Sequence, residues 1–313
     1  MLFPRASIGS RSVGLYTGKP EEGEISSVAD MAPSVPISRL KMAVNVLLLV
    51  VWILLGALTM LVAKLTRWRW LEYSFPLLFH GQVSRLFGLQ PEIGGEPIST
   101  VPTLFVANHV SYMDVFVLGK LIKGAFVAKS EVAGWPVFGK LAALQNTLFL
   151  ERRAARAAEQ VGVVQQHLAT RGNLIMFPEG TSTSGDYVAR FRSSLFAATQ
   201  GVMIQPVSVV YSHLDGAPMT AAERDNYAWY LIDPAGQPGV NNKPFATHFV
   251  EGLGLGGFGR GKARVQVIFH KPLRMEGELT RKDVAKACEE AIRHGLHKTL
   301  DLPYEDAEYA TDT

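Results

Sequence analysis

Asn108 and His109 close the apolar run Leu104-Phe-Val-Ala, and Asp114 follows His109 by five residues. An imidazole is the side chain that exchanges protons near neutral pH. A carboxylate bonded to one ring nitrogen would hold that proton and leave the other nitrogen free to take one from a hydroxyl. Taken alone, the pair reads as a capping residue followed by an unrelated helical carboxylate, because such pairs are common by chance. Three further segments carry chemistry-bearing groups. Leu148-Phe149-Leu150-Glu151-Arg152-Arg153 ends in two guanidiniums, which can fork onto phosphate or carboxylate oxygens. In Phe177-Pro178-Glu179-Gly180-Thr181 the Pro and Gly fix a turn and present Glu179 at its start. Gln205-Pro206-Val207-Ser208-Val209 is an apolar stretch carrying a Pro.

These groups need a scaffold, and the spacing of apolar residues supplies one. Short apolar runs at 103–107, 125–128, 174–177, 203–210 and 265–269 read as buried strands. Helical periodicity lies between them. Over 152–167 and just beyond, Val161, Val164 and Leu168 share a face; over 283–300, Val284, Cys288, Ala291, Ile292 and Leu296 do. Alternating strands and helices predict an α/β domain with a mostly parallel central sheet flanked by helices. Functional groups gather at strand ends in such sheets.

Ahead of this domain, the 22 residues 42–63 carry no charge, and Asn45 and Thr59 are their plainly polar members. About 20 apolar residues cross a hydrocarbon core as a helix. The segment therefore predicts an N-terminal membrane helix that either spans the bilayer or dips into one leaflet. Arg39 and Lys41 flank one end and Lys64, Arg67 and Arg69 the other, so charge does not set its orientation. Aromatics mixed with arginines over 65–89 suit the headgroup layer or an amphipathic helix packed on the domain. The organisation expected is a disordered leader over 1–38, a membrane helix with an interfacial helix over 39–90, a catalytic domain over 91–300 and an acidic tail over 301–313. Met31 and Met42 offer alternative starts.

Composition narrows the class. Of 313 residues, 48% are hydrophobic and 19% charged, enough for a sizeable core, and the net charge of +3 is far from the dense basic patch of a nucleic-acid binder. The single cysteine, Cys288, forms no intrachain disulfide and reads as core filler on an amphipathic helix. Two glycine-rich matches are decoys. Gly252-Leu-Gly254-Leu-Gly-Gly257 precedes a strand instead of opening a helix, and 256–262 lacks the Ser or Thr of a phosphate-binding loop, since Ala263 stands there. There is no G-x-S-x-G elbow and no spacing that suggests a metal site.

Taken in order, the four segments resemble the glycerolipid acyltransferase family, of which lysophosphatidic acid acyltransferases are the standard members. Its blocks read roughly N-H-x4-D, F-I-x-R, F-P-E-G-T and V-P-[IV]. Asn108-His109…Asp114 and Phe177–Thr181 match the first and third, Arg152 falls at the arginine of the second and Pro206 at the proline of the fourth. The stretch Lys129-Ser-Glu131…Pro136-Val-Phe138-Gly139 is similar to a further family segment. The resemblance covers residues from 100 to about 210.

The resemblance implies a glycerol-3-phosphate acyltransferase-like fold and a membrane-bound O-acyltransferase. His109 would be the general base and Asp114 its orienting partner. Arg152, Glu179, Gly180 and Thr181 would bind the acceptor's polar head, with Arg153, Arg190 and Arg192 in reserve as headgroup or carrier contacts. The donor would be acyl-CoA or acyl carrier protein, with no metal and no resident cofactor, and the partners a lysolipid and the bilayer. A thioester leaves readily, so direct transfer needs no covalent intermediate. The catalytic domain would face the cytoplasm. The leading acceptor is 1-acyl-sn-glycerol-3-phosphate, giving phosphatidic acid. One departure bears on it: Ser182 stands where the family often has an arginine after F-P-E-G-T, and the run to Phe191-Arg192 resembles relatives that acylate lyso-ornithine lipids. Lyso-ornithine lipid is therefore the alternative acceptor. A thioesterase using water and a non-catalytic membrane lipid-binding protein are the competing readings.

Overall fold

The computed structural model describes residues 35–150, 157–229, 243–257, 259–277 and 279–303. Two long helices come first, α1 (Arg39–Leu65) and α2 (Arg69–Leu86). Then follow β1 (Leu89–Gly94), β2 (Thr103–Ala107), α3 (Met113–Leu121), β3 (Gly124–Lys129), α4 (Phe138–Leu144), β4 (Leu148–Leu150), α5 (Ala157–Arg171) and β5 (Asn173–Met176). After these come β6 (Met203–Leu214), β7 (Ala217–Pro218), α6 (Ala221–Asp225), α7 (Phe245–Gly252), β8 (Ala263–Phe269), β9 (Leu273–Arg274) and α8 (Arg281–Leu300).

Among the described residues the strands form one sheet in the order β1-β8-β6-β2-β5-β3-β4, with β7 and β9 paired to β6. Pairing from β6 through β2, β5 and β3 to β4 is parallel, and β8 runs antiparallel to β6. The sheet is thus mostly parallel, as the pattern predicts. Central β2 is buried on both faces, which explains its unbroken apolar run. Phe105 and Ala107 point into a core with Phe79, Val83, Val117 and Phe249 from α2, α3 and α7. Leu104 and Val106 point into the opposite core, with Val164, Leu168, Val284, Cys288 and Ile292 from α5 and α8. Cys288 is fully buried there, and burial pushes its thiol up to about 12, as befits a packing residue.

Pro206 lies in the central strand β6, where a missing N–H normally breaks a ladder. Its carbonyl accepts from His270 N at 2.9 Å, so this edge of the residue faces the gap between β8 and β9. The N–H that Pro206 lacks would have met His270 O, which accepts from Gln205 Nε2 at 3.0 Å instead, so that carbonyl is not left unpaired. β1 was not legible in the sequence, because Pro91 and Gly94 interrupt it; it pairs with β8 at the sheet's edge, where a Pro is tolerated.

α1 and α2 form an antiparallel hairpin. Asn45 Nδ2 donates to Leu86 O and Leu253 O at 2.8 and 2.9 Å near the base, and Gly56 lies against the Phe75 and Phe79 rings farther along. One stripe of α1, with Leu49, Met60 and Ala63, is buried, while Leu40, Leu47, Leu54, Leu58, Leu61 and Leu65 are exposed. The helix is long and apolar enough to cross a membrane. The aromatic segment after it divides: Phe79 and Phe87 are core residues, and Trp68 and Trp70 are exposed at the hairpin turn. Residues 35–38, within the stretch read as leader, pack against the loop after α7: Val35 is buried and Ser38 N donates to Gly254 O. The remainder of that stretch, residues 1–34, and most of the acidic tail lie outside the described residues.

Three of the described histidines tie stability to pH. Burial holds His80, His248 and His270 down to about 4, from an ordinary 6.5. Between these values the unfolded chain binds protons that the folded chain refuses, so stability falls as pH drops from 6.5 toward 4. The melting temperature should decline over that window, and His270→Gln, which keeps a polar partner for Ser208 Oγ, should flatten the decline. An unchanged pH profile in that variant would count against His270.

Candidate active site

β2 and β5 are parallel neighbours, with Val106 opposite Met176, so their C-terminal ends emerge side by side. His109 follows one strand and Phe177 the other, and the two rings stack at 4.1 Å with 19° between planes. Asn108, fully buried, fastens the first turn to β6: its Nδ2 donates to Val209 O at 2.9 Å and its Oδ1 accepts from Val209 N at 2.7 Å.

The turn then brings Asp114, at the start of α3, back onto His109. His109 Nδ1 lies 2.8 Å from Asp114 Oδ2. The same oxygen accepts from Val110 N at 2.7 Å and Ser111 N at 2.9 Å. Oδ1 accepts from the Tyr211 hydroxyl at 2.9 Å. A carboxylate surrounded by donors requires Nδ1 to carry its proton, which leaves Nε2 as the acceptor nitrogen. The Asp114 side chain is fully buried and that of His109 is 22% exposed. The arrangement has an oriented base with one open nitrogen.

The F-P-E-G-T segment supports the same turn from below. Glu179 Oε1 accepts from His109 N at 2.6 Å, and Oε2 from Ala189 N at 2.9 Å. Burial pushes its carboxyl well above the ordinary range, the two amide bonds oppose this, and the charges of Asp114 and Glu289 add to the rise. Glu179 is thus buried beneath the His109 backbone. Gly180 has φ +72°, a left-handed value a side chain would strain, and its N–H donates to Phe177 O at 3.2 Å, closing the turn. Thr181 is half-buried, with its hydroxyl 3.4 Å from Ser182 O. The Ser182 hydroxyl donates to Trp229 O. Arg190 and Arg192 are exposed. Arg152 lies outside the described residues.

Sequence reasoning missed Tyr211. The run was expected to end at 210, but β6 continues to Leu214 and passes beneath the 108–114 turn. A phenol in a central strand signals a required hydrogen-bond partner, though not which one. An aromatic rim beside the site was also missed: Tyr112, Trp135, Trp229 and Phe245 contact one another at 5.0–6.5 Å, and Trp229 N donates to Val110 O.

A mostly parallel sheet with a carboxylate-held imidazole at its strand ends, joined to a membrane-type helix, defines a class of acyl-transferring enzymes. Residues 91–210 match the family Acyltransferase. The chain is 35% identical to the lyso-ornithine lipid O-acyltransferase of Rhodobacter capsulatus over 67% of its own length and 71% of that protein. It is 32% identical to the enzyme of the same name from Brucella abortus, over 72% and 82% of the two chains. The 1-acyl-sn-glycerol-3-phosphate acyltransferase of Neisseria gonorrhoeae is 31% identical, over 43% of this chain and 53% of that one. The crystal structure of the 1-acyl-sn-glycerophosphate acyltransferase of Thermotoga maritima shares the fold, with a TM-score of 0.58 and 18% identity over 85% of this chain and 97% of that one. This chain belongs to the acyltransferase family and is an acyltransferase.

Tyr211→Phe removes one donor from buried Asp114 and changes little else. It should cost about 1–3 kcal/mol of stability. It should also lower kcat by about 10-fold, as loss of an outer partner does elsewhere, while leaving KM nearly unchanged. Wild-type kcat in a folded variant would remove Tyr211 from the positioning of Asp114.

Proposed function

We propose that the protein transfers a fatty acyl group from a thioester donor to the free hydroxyl of a lysolipid, with His109 as general base. The carrying observation is the fourfold-bonded Asp114 carboxylate, which fixes the His109 tautomer and leaves Nε2 free. Nε2 takes the hydroxyl proton as the oxygen attacks the thioester carbonyl. The tetrahedral intermediate expels the thiolate as the C–S bond breaks, and the imidazolium returns the proton to sulfur. Asp114 stabilises the imidazolium, and Glu179 acts by holding the His109 backbone. Gly180, Thr181 and Arg152 are assigned to the acceptor's polar head. Coenzyme A or carrier-protein thioesters supply the acyl group in this reading, and their presence in the cytoplasm supports a site on the cytoplasmic face.

The α1–α2 hairpin seats the enzyme on the bilayer. α1 is bound along one stripe to α2, and α2 packs on α3 through contacts such as Phe87 with Phe116. A full span by α1 would draw the catalytic domain into hydrocarbon. The exposed leucine face is therefore read as dipping into one leaflet, with Trp68 and Trp70 suited to the headgroup layer.

Two acceptors are supported by separate observations. Lyso-ornithine lipid is favoured by the extent of similarity to the Rhodobacter and Brucella enzymes and by Ser182, whose hydroxyl binds Trp229 O where a phosphate-reading arginine would stand. The glycerophosphate acceptor is favoured by the similarity to the Neisseria enzyme, over a shorter stretch. Incubating the membrane-embedded protein with labelled acyl donor and each lysolipid separates them: labelled ornithine lipid in excess of phosphatidic acid is expected. Acyl release without a lysolipid would identify a thioesterase instead. His109→Ala should lower transfer by about 10²–10⁴-fold with expression intact, and normal turnover would end the proposal.

A further inference from the structure

The glycine-rich loop before β8 takes no part in the chemistry above, yet it is built with care. Gly256 and Gly261 pack backbone to backbone: a Cβ on Gly256 would lie 2.6 Å from Gly261 Cα, and one on Gly261 would lie 2.5 Å from Leu255 O. Both have positive φ. Asp215 clamps the loop's far side, accepting from Gly261 N at 2.9 Å and Lys262 N at 3.0 Å. This geometry accounts for the glycine density without a nucleotide. It also turns Arg260, Lys262 and Arg264 into a groove of about 580 Å³ that Gln90 and Asp215 help to line. Three cations face one carboxylate there, and that carboxylate is occupied by the loop's own amides. Arg264 also meets Glu92 at 3.3 Å.

Two observations locate the groove. The Lys41 ammonium, in the first turn of α1, donates to Leu255 O at 2.5 Å and lies 3.5 Å from Arg260 O. The basic loop therefore adjoins the end of the apolar helix at which the exposed leucine face begins with Leu40. On its inner side the loop is linked to the catalytic turn through packed rings. The Tyr227 hydroxyl donates to Gly261 O at 3.3 Å, Tyr227 stacks on Tyr211, and Tyr211 bonds Asp114. Buried Tyr211 and Tyr227 thus stand between the groove and His109.

We propose that this groove binds the phosphate of an anionic lipid headgroup in the bilayer around α1, at a place separate from the acceptor's place at His109. Guanidiniums suit phosphate oxygens, and cations beside an apolar helix meet the anionic surface of a membrane. The inference rests on α1 being seated in the bilayer, which the experiment tests on its own. Flotation of the full-length protein is measured with phosphatidylcholine vesicles and with vesicles also containing phosphatidylglycerol. Binding to phosphatidylcholine alone reports the α1 seat, and its absence in wild type would sink that reading and this one together. Wild type should bind the anionic vesicles more tightly, and Arg260→Gln/Lys262→Gln should lose on the order of fivefold of that gain per cation. Lys282→Gln/Lys298→Gln, which removes two exposed cations from α8, should keep the gain. Arg260→Lys/Lys262→Arg preserves charge and should keep it too; a loss there would mean a disturbed loop and would overturn the proposal. Wild-type binding by the first double variant, or an equal loss in the α8 variant, would also overturn it. A raised KM for acyl-CoA in detergent with unchanged flotation would assign the phosphate to the donor and refute the lipid assignment.

Discussion

The carboxylate of Asp114 is where the structure is most constrained. It is fully buried and accepts from two backbone amides, one imidazole and one phenol. A buried carboxylate is tolerable only when its oxygens are satisfied, and loss of one donor leaves a costly orphan in a low dielectric. Each donor comes from a separately controlled piece of chain. The amides require the turn after β2, the imidazole requires the stacking surface of Phe177 after β5, and the phenol requires β6 to extend past its neighbours. The sheet order, with β2 between β5 and β6, brings all three together.

His109 is gripped through its backbone as well as its ring. Glu179 accepts its N–H, Thr183 N donates to its carbonyl at 2.9 Å, and Phe177 covers one face of the ring. Glu179 is in turn linked to the next segment through Ala189, and Phe191 N is held by Glu289 at 2.8 Å, which also pairs with Arg293 at 2.6 Å. A chain of buried acids bonded to backbone amides thus runs from α8 to the 108–114 turn. Such a chain trades folding free energy for a fixed geometry, a recurring arrangement where a reactive group must be preorganised.

The membrane element and the site share a core. Phe87, at the end of α2, lies against Tyr112 and Phe249 at 6.0 and 5.1 Å, and Tyr112 stands three residues after His109. α1 has two incompatible surfaces as a result: a polar and small-residue stripe of Lys41, Asn45 and Gly56 that fits a protein, and a leucine face that fits hydrocarbon. A helix with both suits the interfacial seat proposed for it, where a water-borne thioester and a lipid hydroxyl could meet.

The sequence alone determined the strand-helix alternation and the apolar helix, because both are written locally, as short unbroken apolar runs and as a period of 3.6. The pairing of His109 with Asp114 was legible through the family resemblance and not through its five-residue spacing. β2 and the apolar face of α8 are where that pattern placed them. The tertiary structure decided everything that depended on which strands are neighbours. It ended β6 at Leu214 and so brought Tyr211 to Asp114. It put Glu179 under the backbone of His109. It let the Gln205 side chain take the His270 carbonyl that Pro206 cannot bond, and it turned a glycine motif that mimics a nucleotide loop into the frame of a basic groove. Contacts between residues 70 to more than 200 positions apart leave no period in the chain, so only the folded sheet could assign them.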